Sequence, residues 1–262
     1  MDINGFSASA RIYEGIINGQ KYRLTNVQDQ FEGKGYKDLD MGDRRRLDDS
    51  IIHATVVRQD EPTHDQSSIY TIFERLNTGG INLQPQEIRV ALYHGKFVQV
   101  LQQLSGEQAW RDLYGAKSQR LKDMEMILRF FAFLYYADRY RRPMKDFLNR
   151  YMASNRSLQK QGETELRQIF VKTTETILEG IGNKAFRPER AVNAAVMDSL
   201  MVGIAKRLTT KGDVKDKEEL RRCFNALMVN SDYLRAVKTG TSQEANVAKR
   251  HQLAKNAFSQ VK

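Results

Sequence analysis

The chain has 262 residues, 42 Lys and Arg against 32 Asp and Glu, a formal charge of +10 at pH 7 and one cysteine. This length suffices to bury a core in one large or two small domains, so disorder is not the default expectation, and a single cysteine excludes a disulfide framework. The positive excess favours polyanionic partners by Coulomb attraction, nucleic acid ahead of an anionic membrane surface.

No basic-then-apolar leader opens the chain, and the apolar stretch Ile127–Tyr136 is much shorter than the roughly 20 residues that a membrane span needs. A cytoplasmic protein without membrane contact is expected. Cys223 falls at apolar helical spacing between Leu220 and Leu227, which predicts a buried, inert thiol.

Periodicity predicts an α+β protein that is predominantly helical, with a small mixed region over 1–96 and a helical domain over 97–262. Arg11–Ile17 reads as a short helix stopped by Asn18-Gly19, and Tyr22–Leu24 and Ile51–Val57 read as strands on either side of a charged segment. So few strands are marginal alone, which makes this region look incomplete. Ser67–Leu76 is amphipathic and runs into the helix stop Asn77-Thr78-Gly79-Gly80. Pro85 suits the first position of a following helix, with Ile88 and Leu92 on its apolar side. Leu121–Tyr140 is apolar around most of its circumference and is expected as the central core helix, its aromatic cluster Phe130, Phe131, Phe133, Tyr135 and Tyr136 serving as core. Further helices are expected at Met144–Met152, Thr164–Leu178, Glu189–Leu208, Lys217–Val229 and Glu244–Phe258.

The most informative stretch runs from Ile72 to Arg89. Its glycines allow backbone N–H groups to converge on an anion, and the helix start beyond adds its positive end. Equally, Asn77–Gly80 caps one helix while Glu87, three residues after Gln84, closes a capping box on the next.

The run IFERLNTGGINLQPQEIRVALYHGKF, with the later MKDFLNRYM and FRPERAVNAAVMDSLM segments, resembles the GmrSD-type restriction endonuclease N-terminal-domain family, whose members are similar to ParB and sulfiredoxin. The likeness spans roughly residues 10–205. It implies a ParB-like α+β region over 1–96, and coupling of nucleoside triphosphate hydrolysis, with Mg, to cleavage of invading DNA. An Asp-Gly-x-Gln-Arg motif would supply the reacting half, and this sequence lacks it: Asn4-Gly5-Phe6-Ser7-Ala8 offers neither the acid nor the Gln-Arg pair. Arg75, Asn77, Thr78, Gln86, Glu87 and Arg89 match the retained motif. Together with Gly79 and Gly80, they are the candidate phosphate or nucleotide contacts. Because phosphoryl transfer depends on positioning and charge stabilisation, loss of the acid and the arginine leaves no complete catalytic set.

His53, His64, His94 and His251 lack metal-ligand spacing and read as surface or capping histidines. Two basic stretches complete the candidates. Arg139, Arg141, Arg142, Lys145 and Arg150 have tyrosines interleaved, and Lys249 and Arg250 lie in the basic tail; either set is a phosphate-backbone track or a solvated helix face.

These residues predict a DNA-associated module of restriction or anti-phage type, non-specific towards sequence and not catalytic alone. The alternatives are a nucleotide-hydrolysing nuclease subunit completed by a chain that supplies the N-terminal half, and a non-catalytic interaction protein or truncated gene product. One back-translation of Met1–Phe6, shifted in frame, gives Asp-Gly-Tyr-Gln-Arg-Leu, so a reading frame that begins inside a longer gene is also expected. Strands left without sheet neighbours would then invite self-association.

Overall fold

The computed structural model describes residues 16–17, 20–21, 23–25, 27–51, 67–76 and 83–262. The chain divides into two compact units at Arg58 and Gln59. The helical unit therefore takes in 59–96, which the sequence reading grouped with the N-terminal region.

In the first unit, strands β1 (Ile16–Ile17) and β2 (Gln20–Lys21) form a two-residue antiparallel ladder, with Ile16 opposite Lys21. Ile16 and Ile17 are thus extended rather than the end of a helix. This ladder is the only strand pairing among the described residues, so the expected α+β character reduces to a helical chain with one short hairpin. Leu24 is in no strand and instead exchanges backbone bonds with Gly33 and Lys34, while Ile51 is irregular and 82% exposed. Residues 52–57 lie outside the described residues. The helix α1 (Met41–Asp48) starts where Asp40 accepts the Asp43 N–H, and none of its residues is buried.

The second unit holds one 3-10 turn, Ala137–Arg139, and eleven α-helices among the described residues. They are α2 (Ser67–Leu76), α3 (Pro85–Leu92), α4 (Lys96–Leu104), α5 (Gln108–Tyr114), α6 (Lys122–Tyr136), α7 (Met144–Ser154), α8 (Glu163–Gly180), α9 (Ala194–Lys211), α10 (Lys217–Met228), α11 (Ser231–Lys238) and α12 (Glu244–Phe258). Local chemistry sets most ends. Asn193, Asp216 and Asn230 each accept backbone N–H groups as N-caps of α9, α10 and α11, and Gly212 ends α9 at φ +74°, a left-handed conformation that glycine adopts without a Cβ clash.

The expected central helix is correct in kind but displaced in position. The helix α6 ends at Tyr136 and buries Phe130, Phe131 and Phe133, with Tyr135 and Tyr136 half-buried. The most enclosed element is α9, which packs on α6, α8 and α12 and buries all but a few of its residues. Gly203 is what lets α12 come so near: a Cβ there would sit 3.0 Å from the carbonyl carbon and oxygen of Ala254. No described helix is long and apolar enough to cross a membrane.

Candidate nucleic-acid and phosphate contacts

The retained motif places its charged residues inside the fold. Gln84 donates its backbone N–H to Glu87 Oε2 at 2.6 Å, the capping-box bond, and the same oxygen accepts from Arg120 Nε and Nη2 at 3.1 and 2.9 Å. Glu87 is thus held by a helix start and a guanidinium. Arg89, one turn along α3, is 1% exposed. Its guanidinium donates to Asn149 Oδ1, Glu125 Oε2, Gln86 Oε1 and the Lys145 carbonyl. A guanidinium surrounded by protein acceptors ties α3 to α6 and α7 and has no face left for a phosphate, which corrects the expectation for Arg89.

Lys145 is also engaged. Its ammonium lies 2.9 Å from Glu74 Oε2 and 5.4 Å from the centre of the Tyr70 ring. Burial, opposed by Arg89 and aided by Glu74, pushes the Tyr70 hydroxyl up to about 12. Arg75 is exposed on α2. Asn77, Thr78, Gly79 and Gly80, the glycine loop itself, lie outside the described residues, so their expected role is carried by the sequence alone.

A second charge cluster escaped the sequence reading. Arg250 Nε and Nη2 each lie 3.0 Å from one oxygen of Asp198, and both side chains are fully buried. Arg129 Nη2 reaches the same carboxylate at 2.5 Å, and Arg250 Nη1 donates to the Thr241 carbonyl. Burial works to raise the Asp198 pKa, but Arg250 and Arg129 outweigh it and hold the carboxyl below its ordinary value. Arg250 therefore joins α12 to α9 and is not a nucleic-acid contact. His251 is likewise no surface histidine. Its ring is tilted against that of Phe133 with centres 4.5 Å apart, neither ring nitrogen makes a hydrogen bond among the described residues, and burial beside Arg250 and Arg129 pulls its pKa to about 3 despite Asp198. The tail's other candidate, Lys249, is exposed but bridges to Asp232 at 3.0 Å.

The turn between α6 and α7 is different. Arg139, Arg141 and Arg142 are all exposed, and among the described residues no carboxylate lies within ion-pair distance of any of them. Arg141 bonds only the Tyr140 carbonyl, and the Arg142 amide donates to Glu244 Oε1. Arg150, on α7, is half-buried. His94 is exposed, Cys223 is a partly buried free thiol whose pKa is raised by burial, and no cluster of potential metal ligands occurs among the described residues.

The fold and these contacts define a helical protein with two internal charge networks and an exposed arginine turn. Comparison with family models, curated proteins and solved structures gave no match.

Proposed function

We propose that this chain is a DNA-contacting module of restriction or anti-phage type that grips the phosphate backbone without reading sequence and does not hydrolyse nucleotide by itself. The observation that supports contact is the arginine turn: three guanidiniums in four residues stand in solvent without a carboxylate partner among the described residues. Exposed guanidiniums can pair bidentately with phosphate and displace counterions condensed on the DNA, so such a turn favours DNA irrespective of base order. The restriction and defence setting rests on the resemblance of the Ile72–Phe97 run. The absence of turnover rests on the missing acid and Gln-Arg pair, and on Glu87 and Arg89 being engaged by protein partners.

The test is duplex binding measured between low and physiological salt, with two unrelated sequences of equal length. Equal affinities that fall with salt are expected. A flat salt response, or no binding at low salt, refutes the proposal.

A second reading, a nuclease subunit completed by another chain and using a nucleoside triphosphate with Mg, draws on the first unit. There Met41, Leu47 and Ile51 are 81%, 55% and 82% exposed, and burial of any of them against a partner would be favourable. Nucleotide hydrolysis that appears only on mixing with a chain bearing the acid motif would favour it.

A further inference from the structure

Two clefts in the helical unit meet at one pair of lysines. The smaller, about 330 Å³, lies between the α6–α7 turn and α12 and is lined by Tyr140, Arg141 and His251. The larger, about 880 Å³, is lined by Leu134, Tyr135 and Ile169. Lys206 of α9 and Lys255 of α12 line both. Most lysines nearby are paired: Lys172, at the larger cleft, bridges to Asp213 at 2.9 Å, and Lys249 bridges to Asp232. Neither Lys206 nor Lys255 has a carboxylate within ion-pair distance among the described residues.

We propose that this double cleft binds a single strand of nucleic acid, with backbone phosphate over Lys206 and Lys255 and a base against Leu134, Tyr135 and Ile169. The proposal rests on the DNA-contact reading and adds the strand state and the place. Asp138 and Glu244 line the smaller cleft and Glu165 and Asp213 the larger, so the selection for phosphate is local to the two lysines without carboxylate partners, and the apolar wall selects a polyanion whose flat faces are uncovered. A duplex buries those faces in its own stack, whereas a single strand offers phosphate and base together. In the smaller cleft, His251 contributes part of the wall: its ring nitrogens are buried and Nε2 lies 3.6 Å from Asp198 Oδ1, so the basic groups there that remain open to a phosphate are Arg141 and the two lysines. An acidic peptide would satisfy the lysines but leave the apolar wall unused.

The experiment compares oligo-dT, an abasic oligomer of equal length and a duplex against the wild type, Lys206→Gln/Lys255→Gln and Arg139→Ala/Arg142→Ala, with thermal melting as the check on folding. The lysine variant should bind oligo-dT about tenfold more weakly, and its salt slope should fall by about 1.4, since each single-strand phosphate contact contributes about 0.7. Its duplex affinity should be unchanged. The abasic oligomer should bind the wild type about tenfold more weakly than oligo-dT, the range expected when one base contact is lost. Equal binding of oligo-dT and the abasic oligomer, equal competition by polyglutamate, or oligo-dT affinity untouched by the lysine changes each overturns the proposal. If duplex binding persists and still depends on Arg139 and Arg142, the DNA-contact reading survives that result. Loss of all binding in the wild type removes both.

Discussion

Asp198 and Arg250 form a bidentate ion pair with both side chains fully enclosed, 52 positions apart in sequence and joined through facing turns of α9 and α12. The low-dielectric interior makes such a pair costly to break by halves: removing one partner leaves a buried charge unmatched. Asp198→Ala should therefore lower stability by about 3–5 kcal/mol, because two guanidiniums lose their counter-charge. Replacing the pair together, as Asp198→Leu/Arg250→Met, should recover part of that loss. Urea unfolding decides it, and a double variant no more stable than Asp198→Ala contradicts the account.

Stability should also fall in mild acid through His251. Its folded pKa is about 3 against an ordinary 6.5, because burial disfavours the imidazolium. Between these values the unfolded chain binds a proton that the folded chain does not, so stability rises with pH across that window and is lost as pH falls from about 6.5 towards 3, at a limiting slope of about 1.4 kcal/mol per pH unit. Asp198, whose folded pKa is depressed, adds a further loss only below its unfolded value of 3.8. His251→Gln should flatten the profile between pH 4 and 6.5. Parallel wild-type and variant profiles would sink the assignment.

Arg89 is expected to act on folding rather than on ligands. Arg89→Ala leaves Asn149 and Glu125 without their donor and should cost about 3 kcal/mol. Arg89→Lys should rescue little, because one ammonium cannot span acceptors on three helices. Phosphate affinity of a still-folded Arg89→Lys protein should match that of the wild type, and a large drop would restore Arg89 as a ligand.

The arginine turn makes a quantitative claim on salt dependence. Arg139→Ala/Arg142→Ala should reduce the slope of log affinity for duplex against log salt by about 1.8, at about 0.9 per phosphate contact. An unchanged slope would place the duplex elsewhere.

Close packing at Gly203 gives a stability prediction independent of charge. A Cβ would press on the Ala254 backbone and on Phe258 at 3.1 Å, and backbone cannot rotate away. Gly203→Val should destabilise by about 3 kcal/mol, overpacking outweighing any gain in helix propensity. A melting temperature at or above that of the wild type would show that α9 and α12 part easily.

The sequence by itself determined the helices whose apolar residues recur on one face and whose ends carry caps. Ser67–Leu76 and Glu244–Phe258 match the expected bounds, Lys217–Met228 comes within one residue, and the capping box from Gln84 to Glu87 is formed. These features are local: spacing and capping lie within one or two turns of chain. Strand bounds are less legible, since a ladder depends on a partner elsewhere: Leu24 found its hydrogen bonds in a turn, Ile51 is irregular, and Tyr22 and 52–57 lie outside the described residues. Charge was the quantity that only the tertiary structure decided. Arg89, Lys145 and Arg250 looked in sequence like Arg139, Arg141 and Arg142, because an arginine's spacing does not reveal whether a carboxylate waits on another helix. Asp198 lies in the second turn of α9 with apolar residues on either side, an expensive place for a lone charge, and that position was the one sequence signal that a distant cation must face it. Arg129 of α6 and Arg250 of α12 both answer it; the approach of α12 to α9 over Gly203 brought Arg250 inward, while Arg139, Arg141 and Arg142 stay in solvent.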